Sequence, residues 1–125
     1  MEFPIHLFVY GTLRKGFNHS MASMLETNAT WMGSGFIYGD LYDLGSYPGI
    51  VLTNTMNKII GDLFQVSSQK LLDSLDAYEG PEYIKNQTIA FMHDTTFNCT
   101  VYEFIEDISL AKQIVSGDYL LYLNS

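Results

Sequence analysis

Glu79 stands where a carboxylate is least expected. In the segment "SSQKLLDSLDAYEG", Ser67 offers a cap, Leu71, Leu72, Leu75 and Tyr78 mark one apolar helical face, and Gly80-Pro81 ends the helix. At about 100° per residue, Glu79 falls four residues after Leu75 and seven after Leu72, in the middle of that face. Asp73 and Asp76 project to the opposite or flanking side, where water solvates them. In the last turn Glu79 also meets the negative end of the helix macrodipole. Burial and dipole both favour the protonated form, the property expected of a group that takes up and hands back a proton. Two plainer uses stay open: swinging out to solvent, or anchoring backbone groups through hydrogen bonds. Glu82, just past the helix, is a second carboxylate and is expected in solvent.

The other feature that could carry chemistry is "VYGTLRKG", Val9 to Gly16. The run Ile5 to Tyr10 is apolar on both alternating sets except at His6, which suits a central strand covered on both faces. Gly11 breaks it, and the chain carries on through Thr12, Leu13, Arg14, Lys15 and Gly16 without closing a hairpin. Other reactive side chains are less promising. His6, His19, His93 and Cys99 are scattered without metal-ligand spacing, and Cys99 lies in an expected strand with no adjacent His to activate it. The stretch "GTLRKG" matches neither a phosphate-binding loop nor a dinucleotide fingerprint.

The elements that must position Glu79 and this loop follow from the pattern. Met21, Met24 and Leu25 predict a short helix over 19–26. "ATWMGSGFIYGDLYDLG" reads as one or two strands bent at its glycines, "GSYPGIVL" as a turn at Pro48-Gly49 re-entering a strand at Ile50 to Leu52, and "KIIGDLFQV" as a strand kinked at Gly61. "YIKNQTIAFMHD" and "CTVYEFI" are expected to pair as a hairpin around Asp94 to Asn98, while "IVSGDYLLYL" reads equally as a helical turn or a short strand. The sum is α+β, with about six strands, a main helix in the second half and a lesser one near the start.

Composition narrows the partners. A chain of 125 residues fits one domain with one core, and its nine Tyr and eight Phe favour sheet. Six basic against fourteen acidic residues, a net charge of −8, argue against nucleic acid and against a membrane surface. No apolar run approaches the roughly 20 residues of a membrane-spanning helix, and "MEFPIHLFVY" lacks a signal-peptide pattern. A lone Cys99 fits a reducing compartment, so a cytoplasmic location is expected. The glycosylation triplets at Asn18, Asn28, Asn86 and Asn98 then read as accidents of composition.

"VYGTLRKG" followed far later by "LDAYEG" resembles the γ-glutamylcyclotransferase-like superfamily, in the branch that includes γ-glutamylamine cyclotransferases. Asn18, "LYDLGSYPG", "GDLFQV", Tyr83, "VYEF" and "SGDY" extend the likeness over nearly the whole chain. The resemblance implies a small mixed barrel-like sheet with two flanking helices, a small-molecule γ-glutamyl substrate, and no metal or organic cofactor. It implies a reaction in which the α-amine of a γ-glutamyl group attacks its own γ-carbonyl, closing 5-oxoproline and releasing the attached amine. Glu79 matches the family's catalytic position, and Tyr10, Gly11, Thr12 and Leu13 match its substrate-binding loop, whose amides form an anion-binding concavity. Tyr47 and Tyr83 are further substrate-binding candidates, though each also suits turn packing. Arg14 and Lys15 could attract an acidic substrate or merely solvate the loop. Relatives commonly have Glu in the segment matching "GDLF" and Arg shortly after the tyrosine matching Tyr83; here Asp62 and Ile84-Lys85 stand instead. A non-catalytic binding or interaction module on the same fold is the rival reading. Neither the leaving group nor the oligomeric state is legible.

Overall fold

The computed structural model describes residues 3–17 and 19–124; Asn18, part of the family likeness and of one glycosylation triplet, lies outside the described residues. In chain order the elements are β1 (Ile5–Val9), α1 (Ser20–Asn28), β2 (Thr30–Tyr38), β3 (Asp40–Asp43), β4 (Pro48–Val51), β5 (Lys58–Val66), α2 (Gln69–Glu79), β6 (Tyr83–Met92), β7 (Thr95–Phe104), β8 (Lys112–Gln113) and α3 (Tyr119–Leu123).

A strand apolar on both sets needs cover on both sides, and β1 has it. Phe8 and Tyr10 join a cluster with Ile37, Leu63, Ala90, Cys99 and Val101, drawn from all five strands of a closed barrel ordered β1-β5-β2-β6-β7. Leu7 and Val9 point the other way, into a cluster with Leu25 of α1 and Leu71 and Leu75 of α2. The barrel closes through a parallel contact between β1 and β7, Leu7 opposite Thr100, while its other pairings are antiparallel. A three-stranded sheet, β4-β3-β8, flanks it. The α+β class and the mixed barrel with flanking helices therefore stand. Among the described residues, eight strands rather than about six arise because the two-residue β8 is too short to leave a periodic signal and β3 and β4 form their own sheet; the third helix there is the short α3, capped by the Asp118 side chain.

Several local expectations shift. Ser68, not Ser67, caps α2, its hydroxyl accepting from the Leu71 amide at 3.1 Å. The hairpin of β6 and β7 turns tightly at His93 and Asp94, so Thr95 to Asn98 belong to the strand. The turn ahead of β4 runs from Leu44 to Tyr47, closed by the Leu44 amide on the Tyr47 carbonyl at 3.0 Å, and Pro48 already starts the strand. β5 runs unbroken through Gly61, whose missing side chain leaves room for the Phe8 ring. Bending occurs instead in β2, where the register shifts between Trp31 and Gly33. No helix among the described residues is long and apolar enough to cross a membrane.

Candidate functional site

Where β1 ends, Tyr10 is fixed from two sides: its hydroxyl donates to the Tyr102 carbonyl at 2.8 Å and also takes a hydrogen bond from the Ile50 backbone. The chain then turns, with the Arg14 amide on the Gly11 carbonyl at 3.0 Å and the Phe17 amide on the Arg14 carbonyl at 3.1 Å. Beyond the turn the loop is pinned by Asp62, buried on β5. One Asp62 oxygen accepts from Arg14 Nε at 3.1 Å and the Lys15 amide at 3.0 Å; the other accepts from Ser34 Oγ at 2.9 Å and Trp31 Nε1 at 3.3 Å. Asp118 holds the far end of the same guanidinium at 3.2 Å. Arg14 and Lys15 are thus structural: the first is an ion-pair anchor, the second stacks over Trp31, and neither lines the cavity described next.

Gly11 is where the loop passes β4. A Cβ there would lie 2.5 Å from Cγ of Pro48, a buried ring with nowhere to go. Gly11→Ala is therefore expected to push the loop off β4 and destabilise the fold by about 1–3 kcal/mol, read from urea unfolding.

Helix α2 brings Glu79 to face this loop. Its C-terminus is capped by Gly80 at φ +83°, a backbone conformation that favours glycine, and the residues just beyond, Glu82 and Tyr83, border the cavity. A cavity of about 290 Å³ lies between them, and every site residue expected from the sequence borders it: Tyr10, Gly11, Thr12, Leu13, Tyr47, Glu79 and Tyr83. Thr12 Oγ1 and the Tyr78 hydroxyl lie 2.7 Å apart, tying loop to helix directly. Among the described residues nothing hydrogen-bonds to the Glu79 carboxyl, nor to the Thr12 and Leu13 amides. Glu79 is half-buried, and withdrawal from water pushes its carboxyl up from 4.5 to about 7. Burial, and next the Glu79 charge, hold the Tyr10 and Tyr83 phenols protonated far above neutrality, so both remain donors: Tyr10 to Tyr102, and Tyr83 to the Pro48 carbonyl at 2.7 Å.

The remaining lining residues were less legible. Tyr78 reads as part of an apolar helix face and Tyr102 as one residue of the expected strand "CTVYEFI", and Glu82, expected in solvent, borders the cavity with one oxygen on the Tyr47 hydroxyl at 2.9 Å. Asp76, also expected in solvent, accepts from the Tyr102 hydroxyl and from Lys85, each at 2.7 Å. A strand tyrosine near a basic residue and a helical carboxylate was the available signal. Cys99 is buried and its thiol is pushed up to about 12, which leaves it unreactive. No group of three or more His, Cys, Asp or Glu able to hold a metal occurs among the described residues.

A small closed barrel with a helix-borne carboxyl facing a glycine-broken loop defines a class, and the comparisons agree with it. The family model for γ-glutamyl cyclotransferase, AIG2-like proteins matches residues 7–121, and the chain belongs to that family. It is 37% identical over 91 residues to a γ-L-glutamyl-butirosin B γ-glutamyl cyclotransferase of Niallia circulans, covering 67% of this chain and about half, 53%, of that relative. It is 28% identical over 122 residues to a putative γ-glutamylcyclotransferase of Methanocaldococcus jannaschii, covering 94% and 97% of the two chains. Among solved structures, the Escherichia coli protein ytfP superposes with a TM-score of 0.68 at 30% identity, over 93% of this chain and 96% of that one.

Proposed function

We propose that this chain cyclises the γ-glutamyl group of a γ-glutamyl amine or amino acid to 5-oxoproline, with Glu79 moving the protons and the loop from Tyr10 to Leu13 holding the substrate. The observation that carries this reading is the Glu79 carboxyl, poised near neutrality and without a hydrogen-bond partner among the described residues, across a cavity from loop amides that are equally unpartnered there.

The chemistry follows from that pairing. The α-nitrogen of the substrate enters as an ammonium and must lose a proton before its lone pair can attack. Glu79, ionised, takes that proton. The new C–N bond forms at the γ-carbon, and the carbonyl oxygen gains negative charge. Donors fixed in advance, the Thr12 and Leu13 amides among them, stabilise that charge without reorganising. As the intermediate collapses, the bond from the γ-carbon to the original amide nitrogen breaks, and that nitrogen takes a proton from Glu79. Over the whole reaction the attacking nitrogen sheds two protons and the departing one gains two. One carboxyl used in both directions therefore balances the reaction with no other acid or base. The substrate's own α-carboxylate also seeks N–H donors, and the loop, whose Thr12 and Leu13 amides are unpartnered among the described residues, borders this cavity. The relative named for γ-L-glutamyl-butirosin B supports the same reaction class here.

The test is a panel of γ-glutamyl amines, γ-glutamyl amino acids and glutathione incubated with the protein and read by mass spectrometry for 5-oxoproline. Release from at least one member is expected. Binding without release across the panel would favour the non-catalytic module.

A further inference from the structure

The geometry points to a preference for γ-glutamyl compounds whose leaving group carries a positive charge, selected by Glu82 held at the cavity rim by Tyr47. This rests on the cyclotransferase reading above and adds the chemistry of the part released.

The cavity has a buried end and an exposed one. Phe8, Tyr10 and Leu13 are 1%, 6% and 3% exposed, whereas Tyr47 is 39% exposed. A γ-glutamyl head seated on the loop beside Glu79 therefore sends its leaving group out past Tyr47 and Glu82. The charges met on that path have one sign. Among the described residues the lining contains two carboxylates, Glu79 and Glu82, and no Lys, Arg or His. Nor can the chain's six cations easily supply one. Arg14 is held by Asp62 and Asp118, Lys85 by Asp76, and Lys15, Lys58 and Lys112 lie over the rings of Trp31, Phe36 and Tyr122. Lys70 sits in the first turn of α2, at the opposite end of the helix from Glu79.

Glu82 is also oriented. Its Oε2 accepts the Tyr47 hydroxyl at 2.9 Å, and among the described residues its other oxygen has no partner. Tyr47 and Tyr83 stand beside it with ring centroids 6.3 Å apart. An ammonium at this position finds a fixed carboxylate with aromatic walls, both favourable to a cation. A carboxylate there finds like charge and no counter-ion. At a partly exposed rim the carboxylate and the aromatic wall together are worth about three- to tenfold in affinity.

The experiment compares kcat/KM for 5-oxoproline release from the γ-glutamyl derivatives of diaminobutane, butylamine and glycine. These share one head and differ in leaving-group charge. Wild type is expected to rank them in that order, with about three- to tenfold between the first two. Glu82→Gln should lower the diaminobutane-to-glycine ratio about tenfold, chiefly through KM, and Glu82→Lys should invert it. Tyr47→Phe should lower it less, and high salt should compress it. The ratio is internal to each variant, so partial misfolding does not imitate the effect. Equal kcat/KM for all three, or a ratio unchanged in Glu82→Gln, would overturn the preference while leaving the cyclotransferase reading intact. Release from none of the three, nor from any member of the wider panel, would overturn that reading and the preference with it.

Discussion

Glu79→Gln is expected to slow 5-oxoproline release about a thousandfold while making the protein harder to unfold at alkaline pH. Both effects come from one placement. A carboxyl whose pKa is raised on folding binds its proton more tightly in the folded chain than in the unfolded one. Its contribution to stability is therefore intact below about 4.5 and is lost as pH rises towards about 7. Above that the folded protein carries an ionised carboxylate against its solvation preference. From 4.5 to about 7 is a shift of about 2.5, which at about 1.4 kcal/mol each sets a ceiling of about 3 kcal/mol. Glu79 faces an open cavity, and water there reduces this to about 1–2 kcal/mol. Glutamine keeps the shape and drops the charge. Thermal unfolding should thus place Glu79→Gln above wild type by several degrees at pH 8 and close to it at pH 5. A variant that lost activity and stability together at both pH values would instead mark Glu79 as a structural anchor.

Asp62→Ala is expected to cost about 2–4 kcal/mol and to loosen the substrate loop. The Asp62 and Arg14 side chains are only 4% and 11% exposed, so removing the acid leaves a poorly solvated guanidinium with Asp118 as its remaining ionic partner. It also strands the Lys15 amide and the Ser34 hydroxyl, whose acceptor is the lost carboxylate. Denaturant unfolding should show the lowered midpoint, and kcat/KM should fall because the loop bordering the cavity loses its tether to β5. Asp62→Asn, which keeps one acceptor, should recover part of both. An Asp62→Ala protein with wild-type stability and activity would show that the Gly11 turn and the Thr12–Tyr78 contact suffice to hold the loop.

Asp62 also shows how far a sequence reaches. A carboxylate inside "IIGDLFQV" needs a partner if the strand is central, yet Arg14 lies 48 residues earlier and nothing local connects them. Glu79 was legible because a helix repeats its faces within a few residues, so a misplaced acid can be seen from its neighbours alone. The break at Gly11 was legible for a similar reason, being the end of an uninterrupted apolar run. Tyr78, Tyr102 and Glu82 were harder. An aromatic residue looks the same in sequence whether it packs a core or walls a cavity, and only the closure of five strands decides which. The turn before Pro48 was misplaced because proline suits both the corner of a turn and the first residue of a strand; the closing bond from Leu44 to Tyr47 resolves it.

The most direct measurement is the pH dependence of kcat/KM for 5-oxoproline release, from pH 5 to pH 9, in wild type and Glu79→Gln. With Glu79 as the base, the wild-type rate should climb about tenfold per pH unit on the acid side, bend near the Glu79 pKa of about 7 and level off, and the residual rate of Glu79→Gln should lack that bend. A wild-type profile that bends near 4.5, or a bend near 7 that survives in Glu79→Gln, would contradict it.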